Sequence, residues 1–170
     1  MGNPLVSNRR EGTPFVSRTG YKNPVRGFGG FVTRLAAMAA TLKVLIYSDD
    51  RLVRQAVRLA LGRKVAADLP ELELIEVATE PMVIEKMSAG GIDLAILDGE
   101  AAPAGGMGIC RQLKDEIYNA PPVCVLIARP QDAWLATWSR ADAVSPRPID
   151  SLGLPDAVAQ LLRQRLAVTR

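Results

Sequence analysis

A chain of 170 residues with 48% hydrophobic and 5% aromatic content has room for one domain and a tail, around a core that must be aliphatic. It holds no histidine, which excludes imidazole metal sites and Ser-His or Cys-His catalysis. The net charge of +3 is uneven: residues 1–43 carry seven basic side chains against the single acid Glu11, a net of +6, so the remainder carries −3.

The first 30 residues place Gly and Pro at short intervals without apolar periodicity, so residues 1–41 are expected to form a basic, disordered arm. Two readings of the arm stand: a solvated leader, or a strand of charge that touches nucleic acid or anionic lipid. Its apolar stretch, residues 31–42, is short and broken by Arg34, so neither a transmembrane helix nor a signal peptide is expected. Arg9-Arg10 matches a twin-arginine signal only as a dipeptide. Met38 is an alternative start, with the arm then the product of an over-extended reading frame.

From residue 42 the chain alternates in type. Residues 43–47 (KVLIY) are a continuous apolar run, hence a buried strand, and residues 51–63 a helix with Leu52, Val53, Ala56, Val57, Leu59, Ala60 and Leu61 as its apolar face. Residues 72–77 (LELIEV) alternate with period two, as a half-exposed edge strand does, and residues 81–89 form a helix stopped by Gly90-Gly91. Strand 92–97, helix 107–118, strand 123–127 after Pro121-Pro122, helix 131–140, strand 143–145 and a closing helix 155–167 complete the series. Five βα units within residues 42–167 predict an α/β domain with a doubly wound five-stranded parallel sheet. Cys110 and Cys124 fall in apolar segments and read as reduced core residues of a cytoplasmic protein.

One carboxylate stands out. Asp98 follows the apolar run IDLAIL at the expected carboxyl end of a central strand, the edge where parallel sheets bind ligands. It is either a chemical group or an ordinary strand-ending Asp-Gly turn.

The segments VLIYSDDRLVRQAVRLAL (44–61), IDLAILD with Gly106 eight residues on and then ICRQLK, the apolar fourth strand, and Arg147-Pro148 after the fifth together resemble the receiver domain of bacterial response regulators. The resemblance covers about residues 42–166 and implies a CheY-like, flavodoxin-like fold of strand order 2-1-3-4-5. It also implies a two-component, phosphorelay role in which an aspartate accepts a phosphoryl group beside Mg2+ held by acids after the first strand. By position, Asp98 matches the phosphoacceptor and Asp49 the second acid. The first acid falls on Ser48, and Asp50 substitutes only if the turn shifts. The hydroxyl position falls on Ile127, the lysine on Arg147 next to Pro148, and the switch aromatic on Val144. The usual Met-Pro of the following loop is replaced by Ala101-Ala102, with Pro103 one place late.

These departures keep a phosphorylatable carboxylate and remove metal charge and a hydroxyl clamp, so weak or absent phosphorylation is expected, with Mg2+ held weakly through Asp49, Asp50 and Asp98. Arg147 either pairs permanently with Asp98 or points to solvent. The chain thus looks like an atypical, stand-alone receiver (a pseudo-receiver of actinobacterial type), not an enzyme, with no output domain and with its own surface as output. Trp134 and Trp138, four apart on one helix face, are interface candidates, with at least one expected in the core. The resemblance implies protein partners, a sensor kinase or a large respiratory assembly such as NADH dehydrogenase. A genuine phosphoacceptor and nucleic-acid binding through the arm are the alternatives. No flavin or nucleotide is expected, because the acidic turn SDDR replaces the backbone donors and hydroxyls of a phosphate loop.

Overall fold

The computed structural model describes residues 41–168. The arm of residues 1–40, including Arg9, Arg10, Arg34 and Met38, lies outside them.

The central apolar runs become strands because each is covered on both faces, the condition under which parallel sheets are stable. β1 (Leu42–Tyr47), β2 (Leu72–Val77), β3 (Leu94–Asp98), β4 (Val123–Ile127) and β5 (Ala143–Pro146) pair in parallel in the order 2-1-3-4-5, as the sequence predicts. Every residue of β3 and β4 is buried, whereas β2 at the edge is mostly half-exposed. Alternation splits the core. Val44 and Ile46 join Val53, Val57 and Leu61 of α1 (Arg51–Leu61) and Leu154, Val158, Leu161 and Leu162 of α5 (Gly153–Val168) on one face. Leu45 and Tyr47 join Val83 and Met87 of α2 (Glu80–Ala89) and Ile109, Cys110 and Leu113 of α3 (Gly106–Glu116) on the other. Both cysteines are free and buried. Burial pushes the Cys110 thiol up to about 11 and the Cys124 thiol up to about 12, so each packs as a protonated apolar group.

The structure corrects four expectations. The expected helix 131–140 is a 3-10 turn (Pro130–Asp132) followed by the six-residue α4 (Ala133–Trp138). It stops early because the Ser139 hydroxyl donates to the Ala136 carbonyl and Arg140 takes a left-handed conformation with φ 63°. Neither tryptophan of α4 is in the core: Trp134 is 67% and Trp138 57% exposed, and Ala136 is the buried residue of that helix. Leu52 and Leu59, assigned above to the inward face of α1, are exposed, since Val53, Val57 and Leu61 form a stripe four residues apart that already fills the contact with the sheet. The third strand begins at Leu94 and includes Asp98, so the carboxylate belongs to the strand itself. No helix among the described residues is long and apolar enough to cross a membrane.

Candidate functional site

The strand order reverses direction between β1 and β3, and at such a switch point the loops part to leave a crevice at the carboxyl ends. Two side chains meet there. Asp98, the last residue of β3, is 1% exposed, and Ser48, the first residue past β1, is fully buried. The Ser48 hydroxyl donates to Asp98 Oδ2 at 2.7 Å. Arg147, following β5, reaches over from the far side, with its Nη1 at 3.1 Å from Oδ1 and 3.3 Å from Oδ2. The Glu100 amide donates to Oδ1 at 3.1 Å, closing the loop that follows the strand. Asp98 thus caps its own turn and is a buried carboxylate in a polar cluster.

The Arg147 side chain is 28% exposed and that of Asp98 2%, so the pair sits at the mouth of the site with its anion inside. The geometry settles the orientation of Arg147, which pairs with Asp98 and does not extend into solvent. Its backbone amide is also tied, donating to the Ile127 carbonyl at 2.8 Å. Ile127 itself is buried and offers the site no hydroxyl. Pro148 is exposed after a cis peptide bond, and Val144 is 36% exposed on β5.

The acids after β1 are not gathered on Asp98. The Asp50 carboxylate caps α1, accepting from the Leu52 amide at 2.7 Å, and the Asp50 amide donates to the Ser48 hydroxyl at 3.1 Å. Asp49 is exposed. Among the described residues no group of three His, Cys, Asp or Glu side chains is placed to hold a metal ion. With a hydroxyl in place of the first acid, a helix cap made of Asp50, and a guanidinium already on Asp98, the donor set does not fit a resident divalent cation.

The sequence reading missed two residues. Arg54 Nη1 donates to the carbonyls of Ser48 and Asp49, at 2.6 and 3.3 Å, and its Nε lies 3.5 Å from Glu76 on β2. A cation in the first turn of a helix opposes the helix dipole, and that anomaly is the signal that could have flagged it. Tyr47 anchors the loop beyond Asp98, its hydroxyl donating to the Ala104 carbonyl at 2.6 Å. Burial, with the charges of Asp49, Glu80 and Asp98 nearby, raises the Tyr47 phenol pKa, which keeps that donor protonated.

A 2-1-3-4-5 parallel sheet carrying a buried aspartate at the end of β3 defines a receiver-type α/β domain. Over 125 residues the chain is 55% identical to an uncharacterized response regulatory protein of Mycobacterium tuberculosis, a match spanning 74% of this chain and 94% of that one. It is 30% identical over 129 residues to the transcriptional regulatory protein CseB of Streptomyces avermitilis, spanning 75% of this chain and 52% of CseB. Among solved structures, the signal receiver domain of an HD domain-containing protein from Pseudomonas fluorescens superposes with a TM-score of 0.63 at 16% identity, over 76% of this chain and 92% of that one. A CheY-like receiver domain protein from Methanospirillum hungatei gives 0.59 at 16% identity, over 76% and 99%. No family model matches the chain. The chain belongs to the response regulators of two-component systems, and its described residues form their receiver domain. Its relatives are signalling proteins.

Proposed function

We propose that this receiver is an atypical one, in which Asp98 is held by Arg147 and Ser48 and not offered to a phosphoryl donor, so that it signals through protein contacts with weak or no phosphorylation. The observation that carries this reading is the coverage of Asp98: both of its oxygens lie within hydrogen-bond distance of Arg147, and one also accepts from Ser48. A carboxylate attacks phosphorus through a free lone pair. Here the guanidinium and the hydroxyl must first be displaced from a site that burial makes costly to rearrange.

The surroundings point the same way. Ile127 cannot donate to a phosphoryl oxygen, and a lost hydrogen bond to a charged oxygen is worth about 1.5–3 kcal/mol, roughly a ten- to hundredfold loss in rate. Ser48 removes one negative charge from the place where the family collects a cation, in keeping with a donor set that does not fit a resident divalent cation. On this reading the protein is not an enzyme and works in the cytoplasm. Its partners are a sensor kinase or a larger client such as the respiratory NADH dehydrogenase assembly.

Incubation with acetyl phosphate and magnesium, read by intact mass, tests the proposal. The expected result is that neither the parent chain nor Asp98→Asn gains the mass of a phosphoryl group. A one-phosphoryl adduct that Asp98→Asn abolishes would establish the genuine phosphoacceptor reading instead.

A further inference from the structure

We infer that the outer edge of β2 is a self-association surface, on which a second copy of this chain lays its own β2 antiparallel about a two-fold axis between the two Leu74 residues. β2 is one margin of the sheet and β5 the other, and among the described residues no strand covers its outer side. The surface shares no residue with the Asp98 cluster and operates whether or not that carboxylate is modified.

The backbone decides which residues face outward. The carbonyls of Glu71 and Val77 accept from the amides of Leu42 and Ser48, so residues 71, 73, 75 and 77 point their backbone groups at β1. Those of Leu72, Leu74 and Glu76 point away from it, and the Leu72 amide accordingly donates outward, to the Arg63 carbonyl at 2.8 Å. Edge groups of this kind are a template for another strand. The side chains of the same three residues form one wall of a groove of about 450 Å3, whose other wall includes Arg58 and Leu59 of α1. Leu59 is 74% exposed in the isolated chain, and a strand added beside β2 would cover it together with Leu72 and Leu74.

Glutamates on an edge strand ordinarily guard it against pairing. Here each already has a cation beside it: Arg63 lies 3.0 Å from Glu71, Lys43 3.9 Å from Glu73, and Arg54 and Arg58 lie 3.5 and 3.7 Å from Glu76. The edge is therefore neutralised, and it is self-complementary in one register. Centring the pair on Leu74 places Leu74 opposite Leu74, Leu72 opposite Glu76 and Glu73 opposite Ile75, with no like charges opposed. Centring on Glu73 opposes two glutamates, and centring on Ile75 leaves Leu72 outside the ladder. In the favoured register the two Leu74 residues exchange backbone hydrogen bonds, and each Glu76 amide donates to the Leu72 carbonyl of the other copy. A two-fold axis perpendicular to the sheet keeps both α1 helices on the same side, so the two grooves meet at the seam in an isologous contact. β2 has six residues, so the contact belongs with the small, transient interfaces.

Amide hydrogen exchange of the full chain, followed as protein concentration rises, tests the assignment. Exchange of the Leu74 and Glu76 amides is expected to slow by about tenfold as the dimer fills, with sedimentation reporting the same transition. Leu59→Lys puts a charge at an exposed position, so it should melt with the parent while moving the transition to about tenfold higher concentration. Leu74→Lys sets two cations opposite each other across the axis and should abolish the dimer. Fast exchange of both amides at every concentration, protection that is independent of concentration and therefore comes from the chain itself, or a dimer that Leu59→Lys leaves unchanged would each overturn the assignment.

Discussion

Replacing Arg147 by alanine is expected to cost about 2–3 kcal/mol of folding stability, below the roughly 3–5 kcal/mol seen when a fully buried pair loses one partner. The discount reflects the partial exposure of Arg147, whose side chain is 28% accessible, against 2% for Asp98. The penalty arises because Asp98 stays buried: once the guanidinium is gone, a carboxylate remains with only the Ser48 hydroxyl and the Glu100 amide to stabilise it. Removing both charges should therefore undo most of the loss, since an apolar pair of similar volume commonly replaces a buried ion pair at little cost. Urea unfolding of Arg147→Ala, Asp98→Leu and the double variant gives the coupling directly. If the Arg147→Ala change alone is neutral, the guanidinium contributes nothing to the burial of Asp98 and the fixed pair is an incidental contact.

The second large effect is expected at Gly106, the first residue of α3. A Cβ added there would lie 2.6 Å from the Asp98 carbonyl oxygen and 2.8 and 2.9 Å from the carbonyl carbons of Asp98 and Leu97. All three are backbone atoms of the strand that carries the site, so no side chain can swing aside. Gly106→Ala should cost about 3 kcal/mol, at the upper end of overpacking penalties, and should displace the turn that holds Asp98. Gly108, two residues along the same helix, meets nothing within 4 Å. Gly108→Ala should stabilise by about 0.5–1 kcal/mol through helix propensity alone. Opposite signs two residues apart separate the close approach of α3 to β3 from glycine's general cost in helices, and equal effects in thermal melts would remove the steric account.

Strand identity was legible because burial on both faces writes itself into sequence as unbroken apolar runs, whereas the strand order followed only from the resemblance to receiver domains. The stretches around Val44–Ile46 and 123–127 admit little else, and LELIEV announced its edge position by alternating. What escaped was any question of which neighbour covers a side chain. Leu52 and Leu59 fit the helical period of α1 yet face solvent, because periodicity names candidates for the core without counting how many the sheet can accept. Trp134 and Trp138 escaped for the same reason, compounded by a helix that ends sooner than its apolar content suggests. At the site, position along the chain identified Asp98, Ser48, Ile127 and Arg147. The bond from Ser48 to Asp98, the turn of Arg147 inward and the grip of Arg54 on the β1 carbonyls are contacts between residues about 50 positions apart or across a helix turn, which no local pattern encodes.

The Asp98 carboxylate is already occupied by its own protein, through Arg147 and Ser48. The backbone amide of Glu100 donates directly to that carboxylate, so its NMR chemical shift reads the state of the site. Addition of magnesium and beryllofluoride, the stable mimic of a phosphoryl group on aspartate, is predicted to leave the Glu100 amide unmoved. A saturable shift of that amide, absent in Asp98→Asn, would contradict the account.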